Sequence, residues 1–487
     1  MFFFPVVCAV YFVVPKKIRV AWLLVCSYVF YMAWNVRYAA LMAASTLATY
    51  LSGLALASPV YETPDSLGIA IRPQRTAKDR AILALCIVFN LAILAVFKYG
   101  NMILATVRST RTLDLLLPVG ISFYTFQALG YIIDVYRGDT KTERNLLRYA
   151  LFVSFFPQLV AGPIERSRNL LTQVQHAHEK QLWNAERVTQ GAILMVWGFF
   201  LKMVISDRAA VFVDAVWDNY TAFGRVSLLL ATLAFTLQIY CDFGGYSMIA
   251  IGAAKILGFD LMENFNTPYL ATSIRDFWAR WHISLSTWFR DYLYIPLGGS
   301  RKGEVRRVFN LLVTFLVSGL WHGADWSFVL WGGIHGAGQL IEDLFTRKKR
   351  HASDEAVSGM RAPRRADRFI TFLRWGLTLA FVNFAWIFFR APSIAAAVGF
   401  LKCFVHNAGV NDLVLPVEER WILGIAVLVL IGFDWVKRRR GQTPDRALMS
   451  SRLSTEWGIL IFLIVAIFVF GEYGPTFNPK AFIYFQF

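Results

Sequence analysis

Long apolar stretches, separated by short polar or basic loops, recur from one end of this sequence to the other. They fall at roughly 2–15, 20–36, 38–57, 81–99, 115–135, 148–163, 188–206, 226–258, 307–340, 369–390, 421–436 and 457–472. A stretch of about 20 apolar residues crosses a hydrocarbon core of about 30 Å as a helix, which satisfies its own backbone hydrogen bonds. The pattern therefore implies an all-α polytopic membrane protein with about ten to twelve membrane elements, some broken or re-entrant. Composition agrees: 57% of residues are hydrophobic and 17% charged, against about 25% charged in soluble chains. Residues 1–487 read as one integral membrane domain, with a signature region at about 115–340 and C-terminal helices over 369–472. No repeat, low-complexity tract or soluble domain is evident.

The net charge of +17 excludes little by itself. Its distribution is more informative, because the basic residues cluster in short loops. That is the positive-inside pattern and an attraction to anionic membrane lipid, not to nucleic acid. The loop 347–368 and the run Lys437-Arg438-Arg439-Arg440 are both expected on the cytoplasmic side. The hairpin between them then points its tip, with Asp412, Glu418 and Glu419, outward. Segment 457–472 returns the C-terminus to the outer side. Lys16-Lys17-Ile18-Arg19 and Arg72 to Arg80 are the other cytoplasmic candidates, and 350–366 is a candidate for disorder. Met1-Phe2-Phe3-Phe4 has no basic region before it and reads as a first membrane segment, not a cleaved signal. Cys8, Cys26, Cys86, Cys241 and Cys403 form no CxxC pair and read as small buried hydrophobes.

Several apolar stretches are interrupted. Pro118 and Gly120 break one, Pro157, Gly162 and Pro163 another, and Asp242, Gly244 and Gly245 lie in the middle of 226–258. Four interruptions in one chain point to a central region that does not face lipid. The fourth is the most informative. The runs Val308 to Leu320 and Trp326 to Leu340 flank Gly319-Leu320-Trp321-His322-Gly323-Ala324-Asp325. At about 1.5 Å per residue neither easily crosses alone, but together they do. That places His322 near the middle of a broken or bent membrane segment, where irregular backbone is tolerated only inside protein or against water. An ionisable group at such depth is a functional candidate. A neutral imidazole there can take a proton from a hydroxyl attacking an acyl ester or thioester. Trp321 would wall the pocket and Asp325 would orient the ring. No G-x-S-x-G motif is present, which favours direct transfer over an acyl-enzyme. The residues alone leave this reading level with a transporter's proton relay through His322 and Asp242.

Residues 275–294 carry a second histidine. On a helical wheel Trp278, Trp281, His282, Leu285, Trp288, Phe289 and Tyr292 share one stripe. Asp276 and Arg280 stand four apart as a helix-surface pair. The segment is too polar to cross lipid alone and suits an interfacial or re-entrant helix ended by Pro296, Gly298 and Gly299. Spacing alone makes His282 a structural histidine. Two histidines without carboxylate or cysteine company do not suggest a metal.

Six stretches taken together resemble the membrane-bound O-acyltransferase family, in particular its bacterial alginate O-acetylation branch. They are Tyr131-Ile-Ile-Asp-Val-Tyr-Arg-Gly-Asp-Thr140, Phe156-Pro-Gln-Leu-Val-Ala-Gly-Pro-Ile164, Tyr240-Cys-Asp-Phe-Gly-Gly-Tyr-Ser247, Glu263-Asn-Phe-Asn266, Phe277-Trp-Ala-Arg-Trp-His-Ile-Ser-Leu-Ser-Thr-Trp288 and Gly319-Leu-Trp-His-Gly323. They run in order over most of the chain. Cys241, where an aromatic is more usual, and Gly244, where a serine is common, depart from the alginate-type pattern. The resemblance implies that His322 is the catalytic histidine and that His282, at a second signature position, joins it. It places Arg166 in a stretch associated with function, beside the substrate-binding candidates Trp321, Asp242 and Asp325. It also implies helices around a central channel, with funnels from both faces meeting near His322. The implied activity moves an acyl group, presented as acetyl-CoA or another acyl thioester, from the cytoplasm across a bacterial inner membrane. The acceptor would be an exported polysaccharide, alginate-like or cellulose, and a periplasmic SGNH-type acetyltransferase would finish the transfer. No bound cofactor is implied. A D-alanyl transferase of the teichoic-acid type, a proton-coupled transporter and a secretion scaffold are the alternatives.

Overall fold

The computed structural model describes residues 2–57, 74–181, 183–353, 365–406, 409–450 and 453–473. Arg72 and residues 354–364 of the basic loop lie outside the described residues, while 350–353 and 365–366 of the disorder candidate 350–366 fall in helices. Among the described residues the chain is helical, apart from an isolated bridge between Phe223 and Val410.

In chain order the helices are α1 Phe3–Val13, α2 Arg19–Met32, α3 Val36–Ala55, α4 Ala77–Leu94, α5 Gly100–Thr106, α6 Ile121–Arg137, α7 Leu146–Ser154, α8 Phe156–Leu159, α9 Thr172–Gln175, α10 Ala185–Phe199, α11 Asp207–Asp218 and α12 Arg225–Ile256. There follow α13 Ile274–Arg280, α14 Ile283–Phe289, α15 Glu304–His322, α16 Trp326–Ser353, α17 Arg365–Arg390, α18 Ile394–His406, α19 Val417–Arg440, α20 Pro444–Met449 and α21 Leu453–Phe470. Among the described residues, five stretches are long and apolar enough to cross a membrane: Val36–Ala55, Ala77–Thr106, Ala185–Asp218, Arg225–Ile256 and Arg368–Arg390. The chain is an all-α, multi-pass membrane protein, as the apolar pattern required. The helix α18 was not among the expected segments.

The chain forms two compact units, Met1–Met195 with Ser247–Met262, and Val196–Tyr246 with Glu263–Phe487. In the first unit α6 is buried along almost its whole length and packs on α3 and α4. The expected break at Pro118 and Gly120 is present, since α6 starts only after Gly120, whose φ of +71° suits glycine. Polar side chains bond across these helices: Tyr149 Oη donates to Thr49 Oγ1 at 2.7 Å, and Ser45 Oγ to Asn90 Oδ1 at 2.5 Å. Such bonds hold helices together where lipid removes the hydrophobic driving force.

Three local expectations are corrected in the second unit. First, α12 is one continuous helix through Asp242, Gly244 and Gly245. Gly245 is a contact surface, not a break: a Cβ there would lie 2.7 Å from the Gly198 carbonyl oxygen and 3.2 Å from the Lys202 amide nitrogen. Second, 275–294 is not one helix. It is split at Trp281 and His282 into α13 and α14, with a π-helical turn Arg290–Tyr294 behind them. The break is conformational, for His282 adopts φ +43° and ψ 55°. The Asp276–Arg280 pair survives within α13 at 2.6 Å. Third, the runs around His322 do not continue one crossing. The chain reverses at Gly323 to Asp325, and α15 and α16 pack on each other as an antiparallel hairpin. Their backbones approach closely at Gly319, where a Cβ would strike the Phe328 carbonyl, and at Gly332, where it would strike that of Phe315.

Candidate active site

The second unit brings both sequence-predicted histidines into one aromatic box. His322 is the last residue of α15, and its ring is 2% exposed. Trp321 and Trp331 each stand edge-on to it at 5.0 Å between centroids, and Phe389 of α17 lies at 5.5 Å. His282 is fully buried. Its ring lies 6.2 Å from that of His322, 5.9 Å from Trp321 and 4.6 Å from Phe243 of α12.

The left-handed turn at His282 is held by its neighbours. Ile283 N donates to the Asn264 carbonyl at 2.9 Å, and Ser284 Oγ to Asn264 Oδ1 at 2.6 Å. Asn266 N donates to the Arg280 carbonyl at 2.9 Å. The segment 263–266 thus clamps both sides of the break. A non-glycine residue in this conformation costs about 1–3 kcal/mol and persists only where its surroundings over-determine it.

Asp325 begins α16. Its Oδ1 accepts from Ser327 N at 2.7 Å, an N-terminal cap that fixes the turn after His322. Asp242 is 2% exposed and pairs with Lys202 Nζ at 2.6 Å. Lys202 lies in a π-helical turn, Phe200–Ser206, and also holds Asp207 at 2.8 Å. Asp242 therefore anchors α12 one residue before Phe243, the ring that packs on His282. Arg166 belongs to the first unit. It follows Glu165, a buried carboxylate that accepts from Met262 N and Asn169 Nδ2, each at 2.6 Å. Burial pushes the Glu165 carboxyl up to about 7.

Sequence reading missed three parts of this site. Trp331 touches His322 directly. His335, one turn on along α16, is fully buried, 5.1 Å from Trp331 and 5.0 Å from Trp278. Trp278 Nε1 donates to His335 Nδ1 at 3.2 Å, so the His335 proton sits on Nε2. The available signal was the Trp331-x-x-x-His335 spacing, which puts both rings on one helix face. Lys202 was the third. A lone lysine inside Phe199 to Ile205 needs a buried anion, and Asp242 was the matching lone acid.

The comparisons with known proteins decide the family. Residues 141–357 match the model of MBOAT, the membrane-bound O-acyltransferase family. The "Probable alginate O-acetylase AlgI" of Azotobacter vinelandii is 39% identical over 81% of this chain and 74% of its own length. This chain belongs to the membrane-bound O-acyltransferase family. A protein of the same name from Pseudomonas putida is 35% identical over 100% of this chain and 98% of its own length. The peptidoglycan O-acetyltransferase of Helicobacter pylori is 34% identical over 80% of this chain and 74% of its own length. The expected resemblance is thus borne out, and the chain is an MBOAT enzyme, an O-acyltransferase. The matched region contains Arg166, Lys202, Asp242, His282, Trp321, His322 and Asp325.

Proposed function

We propose that this O-acyltransferase takes an acetyl group from a cytoplasmic acyl thioester, of the acetyl-CoA class, and passes it across a bacterial inner membrane for O-acetylation of an exported polysaccharide. The observation that carries this reading is the pair of buried imidazoles 6.2 Å apart in one aromatic box, close enough for one small acyl group to touch both. His322 acts as general base on the acceptor hydroxyl. Its oxygen attacks the thioester carbonyl, the C–O bond forms, the C–S bond breaks, and the departing sulfur takes the proton from His322. His282 donates a hydrogen bond to the carbonyl oxygen as negative charge develops there. Trp321 walls the acyl group, Asp325 fixes the turn that presents His322, and the Asp242–Lys202 pair sets the register of Phe243 behind His282.

An alginate-like acceptor is supported by the names of the relatives that match over most of both chains. A periplasmic SGNH-type acetyltransferase is the partner this scheme requires if the acyl group leaves the membrane on a carrier before reaching the polymer. The test is ester analysis of the exported polymer from cells carrying wild type, His322→Ala or His322→Gln at equal membrane levels. Acetyl ester should disappear in both variants. Full acetylation in either removes His322 as base, and D-alanyl ester in place of acetyl replaces the donor with an aminoacyl one.

A further inference from the structure

The second unit contains a cavity whose lining includes neither histidine of the imidazole pair. It has a volume of about 370 Å³ and lies between α12, α17 and α18. Its walls are almost wholly apolar, and Leu229, Leu233 and Phe384 at its mouth are 46%, 40% and 43% exposed. Two of these helices lie in membrane-spanning stretches, so the medium at that mouth is lipid.

One lining residue does not fit an apolar pocket. Asn383 is 8% exposed, and neither its Oδ1 nor its Nδ2 has a hydrogen-bond partner among the described residues. A buried amide left unsatisfied is among the costliest features a core can carry. Thr232, the other polar group of the wall, is already committed, donating to the Leu229 carbonyl at 2.8 Å. The cavity therefore presents one donor–acceptor group at the side of an otherwise greasy slot, as ligand pockets commonly do.

Depth selects the occupant. Arg390 ends α17 and pairs with Asp214 at 2.8 Å, marking a charged boundary. Asn383 lies two turns earlier, about 10 Å inward at the helical rise. That is within reach of a glycerolipid whose headgroup sits at the boundary and whose ester carbonyl dips toward the core. We infer that the α12–α17–α18 cavity binds one acyl chain of a diacyl glycerolipid, with Asn383 Nδ2 donating to its ester carbonyl. Trp386 on the flank of α17 and Phe389 on its far side pack on Trp331 at 5.6 and 5.0 Å. The lipid thus backs the wall of the imidazole box.

The experiment uses the full chain in phosphatidylethanolamine vesicles containing a phosphatidylethanolamine with a diazirine on its acyl chain. After illumination, labelled peptides are mapped by mass spectrometry. Labelling should concentrate on residues 229–233 and 376–387 and fall at least about tenfold in Asn383→Leu, the loss expected for one good hydrogen bond in a dry site. Gly376→Phe gives an independent arm, because Gly376 lines the cavity and a Cβ there meets no atom within 4 Å, so the ring takes the place of the acyl chain. It should abolish the same labelling. Wild-type labelling no stronger there than on α21, or labelling unchanged in Gly376→Phe, overturns the assignment.

Discussion

The ring of His282 lies 6.2 Å from that of His322 although the two sit on separate helical pairs. One occupies a left-handed break between α13 and α14, the other the closed end of the α15–α16 hairpin. Two irregular points of backbone have been brought together inside an aromatic box. If the rings act on one reacting group, their losses will not add. His322→Ala should lower acyl transfer by about 10²–10⁴-fold, the usual worth of a general base. His282→Ala should cost about 10²–10³-fold, as for one donor to a developing oxyanion. The double variant should be little worse than His322→Ala alone. Transfer rates per inserted enzyme check this, and simple multiplication of the two losses would mean independent roles.

The Lys202 ammonium between Asp207 and Asp242 is a buried pair of bonds, at 2.8 and 2.6 Å. Removing one partner of such a cluster strands the others, at about 3–5 kcal/mol. Lys202→Met should therefore lower the thermal midpoint in detergent sharply. Lys202→Met with Asp207→Asn and Asp242→Asn should recover much of that loss, because no uncompensated charge then remains. A triple variant as unstable as the single one would show that shape, not charge, matters at this point.

How far the sequence disclosed this arrangement depends on which residues are considered. Continuous apolar runs demand membrane helices wherever they occur, so the helical class and most segments were legible. The reversal at Gly323 was not, because a broken crossing and a hairpin tip show the same apolar–glycine–apolar pattern. Only the close backbone approach at Gly319 and Gly332 separates them. Gly245 misled for the same reason, since a glycine that admits a neighbouring helix looks like one that ends its own. His282 needed the Asn264 clamp, a contact between segments that no helical wheel contains.

Those close approaches carry their own prediction. Gly319→Val places branched carbons against the Phe328 carbonyl and must push α16 away from α15. Overpacking of this kind costs about 1–3 kcal/mol. The larger effect should be on activity, because His322 lies one turn beyond Gly319 on α15. Transfer should fall far more than the thermal midpoint suggests. Near-normal activity in a measurably destabilised Gly319→Val would mean that hairpin spacing does not position His322.

Glu165 provides a pH signature. Burial raises its carboxyl from 4.5 to about 7, so the folded chain holds this proton more tightly than the unfolded chain does. The contribution is fully present below the unfolded value and is lost as pH rises through about 7. Wild type should lose stability between about pH 4.5 and 7 at up to about 1.4 kcal/mol per pH unit from this group. Glu165→Gln keeps an acceptor for Met262 N and should flatten that part of the curve. Thermal midpoints of both proteins in detergent across this range check it, and parallel curves would assign the slope elsewhere.

His335 is the last test, because it touches Trp331, a ring that packs on His322. Its Nδ1 accepts from Trp278 Nε1 at 3.2 Å, while its ring stands 5.1 Å from Trp331, itself 5.0 Å from His322. Replacing it with leucine keeps volume but strands the Trp278 N–H, at about 1–3 kcal/mol. It also removes the flat ring on which Trp331 packs, freeing that indole to tilt. His335→Gln retains a side-chain acceptor that can reach the Trp278 N–H and should hold both indoles. If His335 is a positioning residue, His335→Leu lowers the transfer rate with little change in apparent donor affinity. It should also change the near-ultraviolet circular dichroism of the tryptophans, and His335→Gln should restore both. Equal activity in the leucine and glutamine variants, with the leucine spectrum altered, would reduce His335 to packing alone. A loss of activity in both with unaltered spectra would instead require the imidazole proton itself, moving His335 from support into the chemistry.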